Sequence, residues 1–299
     1  MRNFLFALLF TCFSAATHAQ LLYRISGNGL QRPSYIVGTY HLAPGTFADS
    51  IAGAYDALNQ CEQVYGELNI ADMLQPDSVE RAQQAMLLPE GMTLSQLLTP
   101  DEMGRVKAYA ERQLGPAAAM IMTQAERMTP IALSTTFEML TYAMKSGQID
   151  VSESIDLHFQ QYALQHGKAT GGLETVSFQT KTIYQGTPLS RQKQLLLCLA
   201  DNPEFNDMMT EKVIACYFAQ DIEGLKEAMD MKLDNDCDST PEEEAALIDR
   251  RNANWAALMP GIMQAHPTFF VVGAGHLPGP QGVLQLLREA GYQVASPPM

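Results

Sequence analysis

The sequence predicts an α/β protein in which helices flank a central mixed β-sheet. Short strand-like segments alternate with helical segments at both ends of the chain, which is the pattern of α/β folds. The stretch 72–145 instead carries helix signals almost throughout. We therefore expect residues 20–299 to form one α/β domain with a helix-rich insertion, over about residues 72–150, that makes a lid or subdomain.

Strand signals begin directly after residue 20. The segments 21–26 and 34–39 enclose the turn sequence Gly-Asn-Gly, which predicts a β-hairpin. The segment 268–272 is a continuous apolar, aromatic and β-branched run, as in strands that are buried on both faces. Shorter strands are predicted at 63–68, 168–173 and 292–295.

Helix signals are clearest at two capping boxes. Thr99 and Glu102 form one box with a proline between them, and Gly115 is placed to end that helix. Thr240 and Glu243 form the other box, so we expect helices to begin just after both threonines. Further helical segments are predicted at 51–60, 117–144, 152–165, 190–231 and 281–290.

The first nineteen residues predict a secretory signal peptide. Arg2 gives a basic start, residues 4–16 form an apolar run, and small residues precede a cleavage site after Ala19. The run is shorter than the roughly 20 residues that a membrane-spanning helix needs. Lipid attachment at Cys12 and an uncleaved anchor are the alternatives. We expect a periplasmic or secreted protein with no stable membrane span after cleavage.

The composition limits what the protein binds. The formal net charge is −14, and no basic stretch interrupts the acidic balance. A field of this sign repels nucleic-acid phosphates, so no nucleic-acid partner is expected. Hydrophobic residues make up 46% of the chain, which is enough apolar material for a substantial core.

Four cysteines remain after removal of the signal peptide. They are Cys61, Cys198, Cys216 and Cys237, and none belongs to a Cys-x-x-Cys pair. In an oxidising compartment this even number predicts one or two structural disulfides rather than a redox motif or a zinc ribbon. Four cysteines allow three pairings, and the sequence does not choose among them.

The most informative motif occurs twice. Residues 38–42 and 273–277 share the pattern Gly-x-x-His-Leu, and each follows a predicted buried strand and precedes a Pro-Gly pair. Active sites of open α/β sheets lie beyond the carboxyl ends of the strands, so His41 and His276 are expected to converge there. Glu67 lies at the end of a third predicted strand, and a carboxylate is costly to bury without a partner.

These three side chains predict a metal site. Two imidazoles and a carboxylate are a suitable ligand set for a divalent transition metal such as Zn, Mn, Co or Fe, with one position left open for water. His41, Glu67 and His276 are the expected ligands. Glu67 is either a ligand or the general base, and the sequence does not separate the two roles.

The same residues, with others along the chain, resemble the TraB/PrgY/GumN family. The resemblance includes both histidine motifs, Glu67, Asp156, the segment 172–175 with Gln179, and Arg251-Asn252 with Trp255. Its most specific part is the segment 272–284, and it covers nearly the whole chain after residue 19. That family is related to the Tiki metalloproteases and, more distantly, to the erythromycin-esterase and ChaN-like superfamily.

The resemblance implies a metal-dependent hydrolase, such as a peptidase, that acts on a peptide or another small-molecule substrate. It implies metal or catalytic roles for His41, Glu67 and His276, and a site-lining role for Arg251. Arg251 would stabilise a developing oxyanion or clamp a substrate carboxylate. The alternative is an ion pair on the helix surface, close to Asp249.

Glu174 completes the expected catalytic set with Glu67 and Arg251. Its carboxylate is either a partner that orients a ligand histidine or a charge at a helix N-terminus with no catalytic part.

Other functions remain compatible with the sequence. A non-catalytic binding protein on the same fold, for a peptide, a pheromone or a haem-like ligand, would use His41 and His276 equally well. Haem ligation would not need Glu67, so that carboxylate favours the hydrolase. A purely structural envelope protein would need none of the three. Substrate, metal identity and oligomeric state stay undetermined.

Overall fold

The computed structural model describes residues 20–146 and 154–297, and the predicted signal peptide, residues 1–19, lies outside them. A six-stranded sheet forms its centre. The strands are β1 (Leu22–Ser26), β2 (Ser34–Thr39), β3 (Gln63–Gly66), β4 (Ala169–Gly172), β5 (Thr268–Gly273) and β6 (Gln293–Ala295).

The strands lie in the order β4-β3-β5-β2-β1-β6. The four strands from β4 to β2 are parallel to one another, whereas β1 is antiparallel to both β2 and β6. The predicted hairpin at the start of the domain and the predicted central mixed sheet are therefore confirmed. Parallel neighbours place the carboxyl ends of β2, β3, β4 and β5 at one edge.

The described residues contain fifteen α-helices. The first eight are α1 (Ala54–Gln60), α2 (Ile70–Met73), α3 (Pro76–Ala85), α4 (Leu94–Leu97), α5 (Pro100–Leu114), α6 (Ala118–Gln124), α7 (Pro130–Ser146) and α8 (Ile155–Gln165). The others are α9 (Val176–Thr180), α10 (Leu189–Asp201), α11 (Pro203–Phe218), α12 (Ile222–Met229), α13 (Pro241–Glu244), α14 (Arg250–Ala265) and α15 (Val283–Glu289).

The central strand β5 is apolar throughout because both of its faces are covered. Phe269 and Val271 pack into the core that contains residues of α1 and α8. Phe270 and Val272 point the other way, into the core formed with α14 and α15. Side chains alternate across a strand, so two covered faces require apolar residues at every position. Helices thus flank the sheet on both sides, as predicted.

Capping boxes start two of the helices, as predicted. The Thr99 N–H donates to Glu102 over 2.7 Å while the Glu102 N–H donates back to the threonine hydroxyl over 3.3 Å. Thr240 and Glu243 make the same reciprocal pair. Gly115, with φ of 53°, follows the last residue of α5. Each box satisfies N–H groups that the first helical turn leaves without partners.

Two of the predicted helical segments contain more than one helix. The segment 190–231 contains α10, α11 and α12, and the segment 117–144 contains α6 and α7. Pro203 and Pro130 stand at the first positions of new helices, because proline lacks the N–H that a continuing helix would need. The helix after Thr240 is interrupted by a π-helical turn, Ala245–Asp249, before α14.

The helices between β3 and β4 enclose a hydrophobic core of their own. Val106 and Ala110 of α5, Met122 of α6 and Phe137 of α7 are buried there together with Leu196 of α10. This core is separate from the two that cover the sheet. Burial of one helix face against another, rather than helix propensity alone, stabilises such a layer.

No helix in the described ranges combines the length and the apolar character that crossing a membrane requires.

One disulfide joins Cys198 on α10 to Cys237 in the segment before α13. Cys61 and Cys216 are free thiols, and burial raises the pKa of Cys61 to about 12. The prediction of a structural disulfide is confirmed for one pair. A second disulfide between the other two cysteines is not present in the part of the chain that the structure describes.

Replacing both bridged cysteines by serine is expected to lower the free energy of unfolding by about 3–4 kcal/mol. The bridge closes a loop with a sequence separation of 39 residues, which restricts the unfolded chain. Urea denaturation of the oxidised wild type and the double variant measures the difference. Dithiothreitol should shift the wild type to the variant's curve and leave the variant unchanged. Coincident curves for oxidised and reduced wild type would contradict the prediction.

Candidate active site

The predicted site residues lie at the carboxyl edge of the parallel strands. Glu67 directly follows β3, and Glu174 lies two residues beyond β4. His276 ends a short helical turn after β5, and His41 lies two residues after β2. Arg251 reaches the same edge from the first turn of α14. The strand order therefore brings together residues that are far apart in the sequence.

Gly273 marks the point where three of these side chains meet. A Cβ atom added to Gly273 would lie 3.1 Å from Glu67 Oε1, 3.5 Å from His276 Cδ2 and 3.8 Å from His41 Nε2. One methyl group at this position would therefore contact all three side chains. The absent side chain leaves a small space among the two imidazoles and the carboxylate.

Gly38, the glycine of the first motif, is required for close packing and not for the space at the site. A Cβ atom on Gly38 would lie 2.8 Å from Leu277 Cδ1 and 3.0 Å from Ala274 Cα. This glycine lets β2 pack closely against the turn that carries the second histidine. The matching motifs thus pack against each other, with one glycine at the packing contact and the other at the site.

His41 lies on the solvent side of the site. Its Nδ1 is 3.1 Å from Asp156 Oδ2, and the other oxygen of Asp156 accepts a 2.5 Å hydrogen bond from the Thr39 hydroxyl. With Nδ1–H donated to this carboxylate, Nε2 is left to face Gly273. Attraction to Asp156 raises the pKa of His41 to about 9. The side chain is 64% exposed, so water screens part of that attraction.

His276 is buried and neutral. Its Nδ1 lies 2.7 Å from Asn252 Oδ1, and the Asn252 amide is oriented by donating its own N–H to the Gln281 carbonyl over 2.8 Å. Nδ1 therefore carries the proton. Nε2 lies 3.1 Å from Arg251 Nη1, and because a guanidinium only donates, Nε2 accepts. Burial lowers the pKa of His276 to about 4.

Glu67 is buried and ionised. Its Oε1 accepts the Gly273 N–H at 2.8 Å and lies 3.9 Å from His276 Nε2. Its Oε2 accepts hydrogen bonds from Arg251 Nη2 at 2.5 Å and from Gln179 Nε2 at 3.0 Å. Burial alone would raise the pKa of this carboxyl. The His276 and His41 rings, the Arg251 guanidinium and the Gly273 N–H together outweigh burial and lower the pKa of Glu67 to about 2.

Arg251 has a partner for every N–H group. Glu174 accepts from Nε at 3.1 Å and from Nη2 at 2.7 Å, in a two-point contact. The Leu247 carbonyl accepts from Nη1 at 3.1 Å, and Glu67 and His276 take the remaining bonds. The guanidinium carbon also lies 4.9 Å from the centre of the Trp255 ring. The alternative of a surface ion pair close to Asp249 is therefore wrong.

Glu174 contacts the arginine rather than a histidine. Besides Arg251, it accepts hydrogen bonds from Trp255 Nε1 at 3.3 Å and from Gln179 Nε2 at 3.0 Å. We expected Glu174 to orient a ligand histidine, but it contacts neither imidazole. Asp156 holds His41, and Asn252 holds His276. Glu174 positions the guanidinium beside Glu67.

The donor types fit a divalent transition metal, but their present arrangement does not close around one. Both imidazoles have Nδ1 bound to a side-chain oxygen and Nε2 directed inward, as metal-binding histidines do. Within residues 20–146 and 154–297, however, no three histidine, cysteine, aspartate or glutamate side chains are arranged to hold an ion. In the structure, the N–H of Arg251 occupies the lone pair of His276 Nε2.

Four side chains of the site had no role assigned from the sequence. Asp156 and Asn252 hold the two imidazoles, Thr39 holds Asp156, and Gln179 bridges the two glutamates. An acidic residue between Ile155 and leucine near a helix start was a usable signal for Asp156. Gln179 and Asn252 were, like Asp156, part of the family resemblance without an assigned role, and Thr39 is a variable position of the first histidine motif.

Arg251→Met is expected to lower the free energy of unfolding by about 3–5 kcal/mol, because it leaves Glu67 and Glu174 buried without their cation. The matched control is Arg250→Gln, which removes only an exposed pair with Glu242 and should cost no more than about 1 kcal/mol. Urea denaturation followed by circular dichroism measures both. Equal losses in the two variants would show that the buried network is not stabilising in this way.

Comparison with known proteins extends over nearly the whole described chain. The sequence profile of the TraB/PrgY/gumN family matches residues 21–296. Metalloprotease TIKI1 of Danio rerio is 24% identical over 89% of this chain and 61% of its own length. Metalloprotease TIKI2 of Danio rerio is 26% identical over 89% of this chain and 58% of its own. Metalloprotease TIKI1 of Homo sapiens is 26% identical over 89% of this chain and 60% of its own length.

The chain spans about three fifths of the length of these curated relatives. No solved structure matches it. The family match runs from the first strand of the sheet to the last and includes both histidine motifs. This chain therefore belongs to the TraB/PrgY/gumN family.

Proposed function

We propose that this protein is a metal-dependent hydrolase that cleaves peptides at the carboxyl edge of its sheet. The observation that carries the proposal is the convergence of His41 Nε2, His276 and Glu67 Oε1 on the space beside Gly273. Both imidazoles are held through Nδ1, which is the arrangement that directs Nε2 to a metal. The relatives named metalloproteases support the same reaction class.

The charges of the site also favour a divalent ion. Asp156, Glu67 and Glu174 contribute three carboxylates, and Arg251 is the permanent cation that contacts two of them. The remaining imbalance is two negative charges, which one divalent ion neutralises while both imidazoles stay neutral. In the absence of an ion, the raised pKa of His41 lets a proton supply part of this charge.

In this proposal His41, Glu67 and His276 hold the ion, and Arg251 gives up its bond to His276 Nε2 when the ion binds. The two-point contact with Glu174 and the bond to the Leu247 carbonyl keep the guanidinium beside the site. A bound divalent ion supplies Lewis-acid chemistry, which polarises a substrate carbonyl and makes a water molecule more acidic.

The chain's own residues would orient the ligands, stabilise developing negative charge and accept a proton. Asp156 and Asn252 keep the two imidazoles in the tautomer that presents Nε2. Arg251 provides the Nη1–H released from His276 for the negative charge that develops on a carbonyl oxygen, and Glu174 positions the guanidinium. Glu67 is the carboxylate placed to accept a proton from water if it is not itself a ligand.

The Arg251–His276 bond favours a second candidate, a binding protein on the same fold that cleaves nothing. In that case the guanidinium would stay on His276 Nε2, and the exposed His41 would contact a peptide, a pheromone or a haem-like ligand from solvent. Metal binding separates the two candidates, because only the hydrolase requires Arg251 to release His276.

Export is part of the proposal. The first nineteen residues have the sequence of a secretory signal, and disulfides such as Cys198–Cys237 persist mainly in oxidising compartments. We therefore place the protein in the periplasm or the medium.

The chain from Gln20 onward is expected to bind about one Zn²⁺ or Mn²⁺ per molecule and, when loaded, to cleave members of a peptide library. Removing both imidazoles in a His41→Ala/His276→Ala variant should abolish binding and cleavage while circular dichroism stays unchanged. Metal analysis after dialysis and mass spectrometry of the library measure the two effects. Equal metal content in wild type and variant under saturating ion would contradict the proposed site.

Gly273→Ala tests the same site without removing a ligand. Its methyl group would contact all three side chains, and overpacking of about 1–3 kcal/mol corresponds to a loss of metal affinity of about 5- to 150-fold. The matched control is Gly261→Ala on α14, where a Cβ atom meets nothing within 4 Å. Titration calorimetry should find wild-type affinity in the control. Unchanged affinity in Gly273→Ala would place the ion elsewhere.

A further inference from the structure

A cavity of about 850 Å³ lies next to the candidate active site. Its walls come from α7, α10, α11, the end of α12, the π-helical turn and the loop after His276. This volume is within the range of about 300–1,000 Å³ that is usual for ligand sites. The site residues described above do not line it, so it is a separate feature of the fold.

The cavity and the candidate site share a wall. Leu247 lines the cavity, and its carbonyl accepts a hydrogen bond from Arg251. Gln281 also lines the cavity, and its carbonyl orients the Asn252 amide that holds His276. A ligand in the cavity would rest against the backbone that positions the site, and so would lie close to the reacting groups.

Much of the cavity surface is apolar. Leu195, Leu199, Phe205, Met209 and Met229 line it, and the two methionines provide flexible, polarisable contacts that adapt to different side chains. Met229 also packs against the loop before His276, since a Cβ on Gly275 would lie 2.7 Å from its Cε atom. Such a surface suits aliphatic and thioether side chains of a peptide.

The charged side chains around the cavity include more unpaired carboxylates than unpaired cations. Both lysines that line the cavity already form ion pairs, Lys226 with Asp230 and Lys232 with Glu244. Among the described residues, Glu138 forms no hydrogen bond or ion pair, although it lines the cavity.

Asp249 is a second lining carboxylate that makes no hydrogen bond or ion pair in the described chain, and Asp238 binds only backbone N–H groups. Glu138 and Asp249 therefore present negative charge to the cavity without a protein cation bound to them.

We propose that this cavity binds an apolar peptide segment that carries a positive charge, with the charge close to Glu138. The apolar wall would take the side chains, and the uncompensated carboxylates would select the basic group by charge complementarity. This inference rests on the proposed function only in treating the bound peptide as a substrate. Binding itself requires no metal and no cleavage.

The test uses two dye-labelled peptides that share the same leucine and methionine residues and differ in bearing either two lysines or two glutamates. Fluorescence anisotropy with the full mature chain is expected to show binding of the basic peptide at least about tenfold tighter than the acidic one. Equal binding of both peptides, or binding of neither, would overturn the proposal.

Variants separate the cavity from the general negative field of the chain, which attracts any basic peptide. Glu138→Gln should weaken binding of the basic peptide about tenfold, whereas Glu90→Gln, an exposed site with the same change in net charge, should not. Thr135→Trp, one turn before Glu138 on the cavity wall, should fill the space and weaken both peptides.

If Glu138→Gln and Thr135→Trp both bind like wild type, the peptide lies elsewhere and the proposal is wrong. EDTA should leave binding of the basic peptide unchanged, so the cavity is tested independently of the metal site. Loss of peptide binding in EDTA would assign the peptide to the metal site instead of the cavity.

Discussion

The constraint on which the rest of this structure depends is the position of the Arg251 guanidinium. It joins Glu67 after β3, Glu174 after β4 and His276 after β5, and the π-helical turn before α14 supplies a fourth acceptor, the Leu247 carbonyl. Three parallel strand ends are thereby connected by one side chain. Because these groups are buried, an unpaired member would cost several kcal/mol, so the network fixes the relative positions of α14 and the sheet edge.

The same guanidinium contacts a site whose donor types suit a divalent metal. Both imidazoles are held through Nδ1, by Asp156 and Asn252, and Gly273 leaves space where His41 Nε2 and Glu67 meet. Arg251 donates a hydrogen bond to His276 Nε2, which is one of the expected ligand atoms. A positive charge is thus always present beside Glu67, supplied by the arginine alone or, in our proposal, by the arginine and an ion together.

Local sequence signals predicted the fold well because strand burial and helix capping are local effects. The apolar run of β5 and the two capping boxes were predicted close to their observed bounds. The convergence of His41 and His276 followed from the rule for strand ends. Their partners Asp156 and Asn252 could not be assigned, since contacts across 115 and 24 residues depend on how α8 and α14 pack. The disulfide pairing depends on packing in the same way.

The most direct test of this account is the anomalous diffraction from crystals of the mature chain grown with Zn²⁺ or Mn²⁺. We predict one strong anomalous peak beside Gly273, about 2.0–2.2 Å from His41 Nε2 and a Glu67 oxygen, with Arg251 moved off His276 Nε2 and still bound to Glu174. A saturated crystal with no peak at this position, and with the bond between Arg251 and His276 intact, would contradict the account.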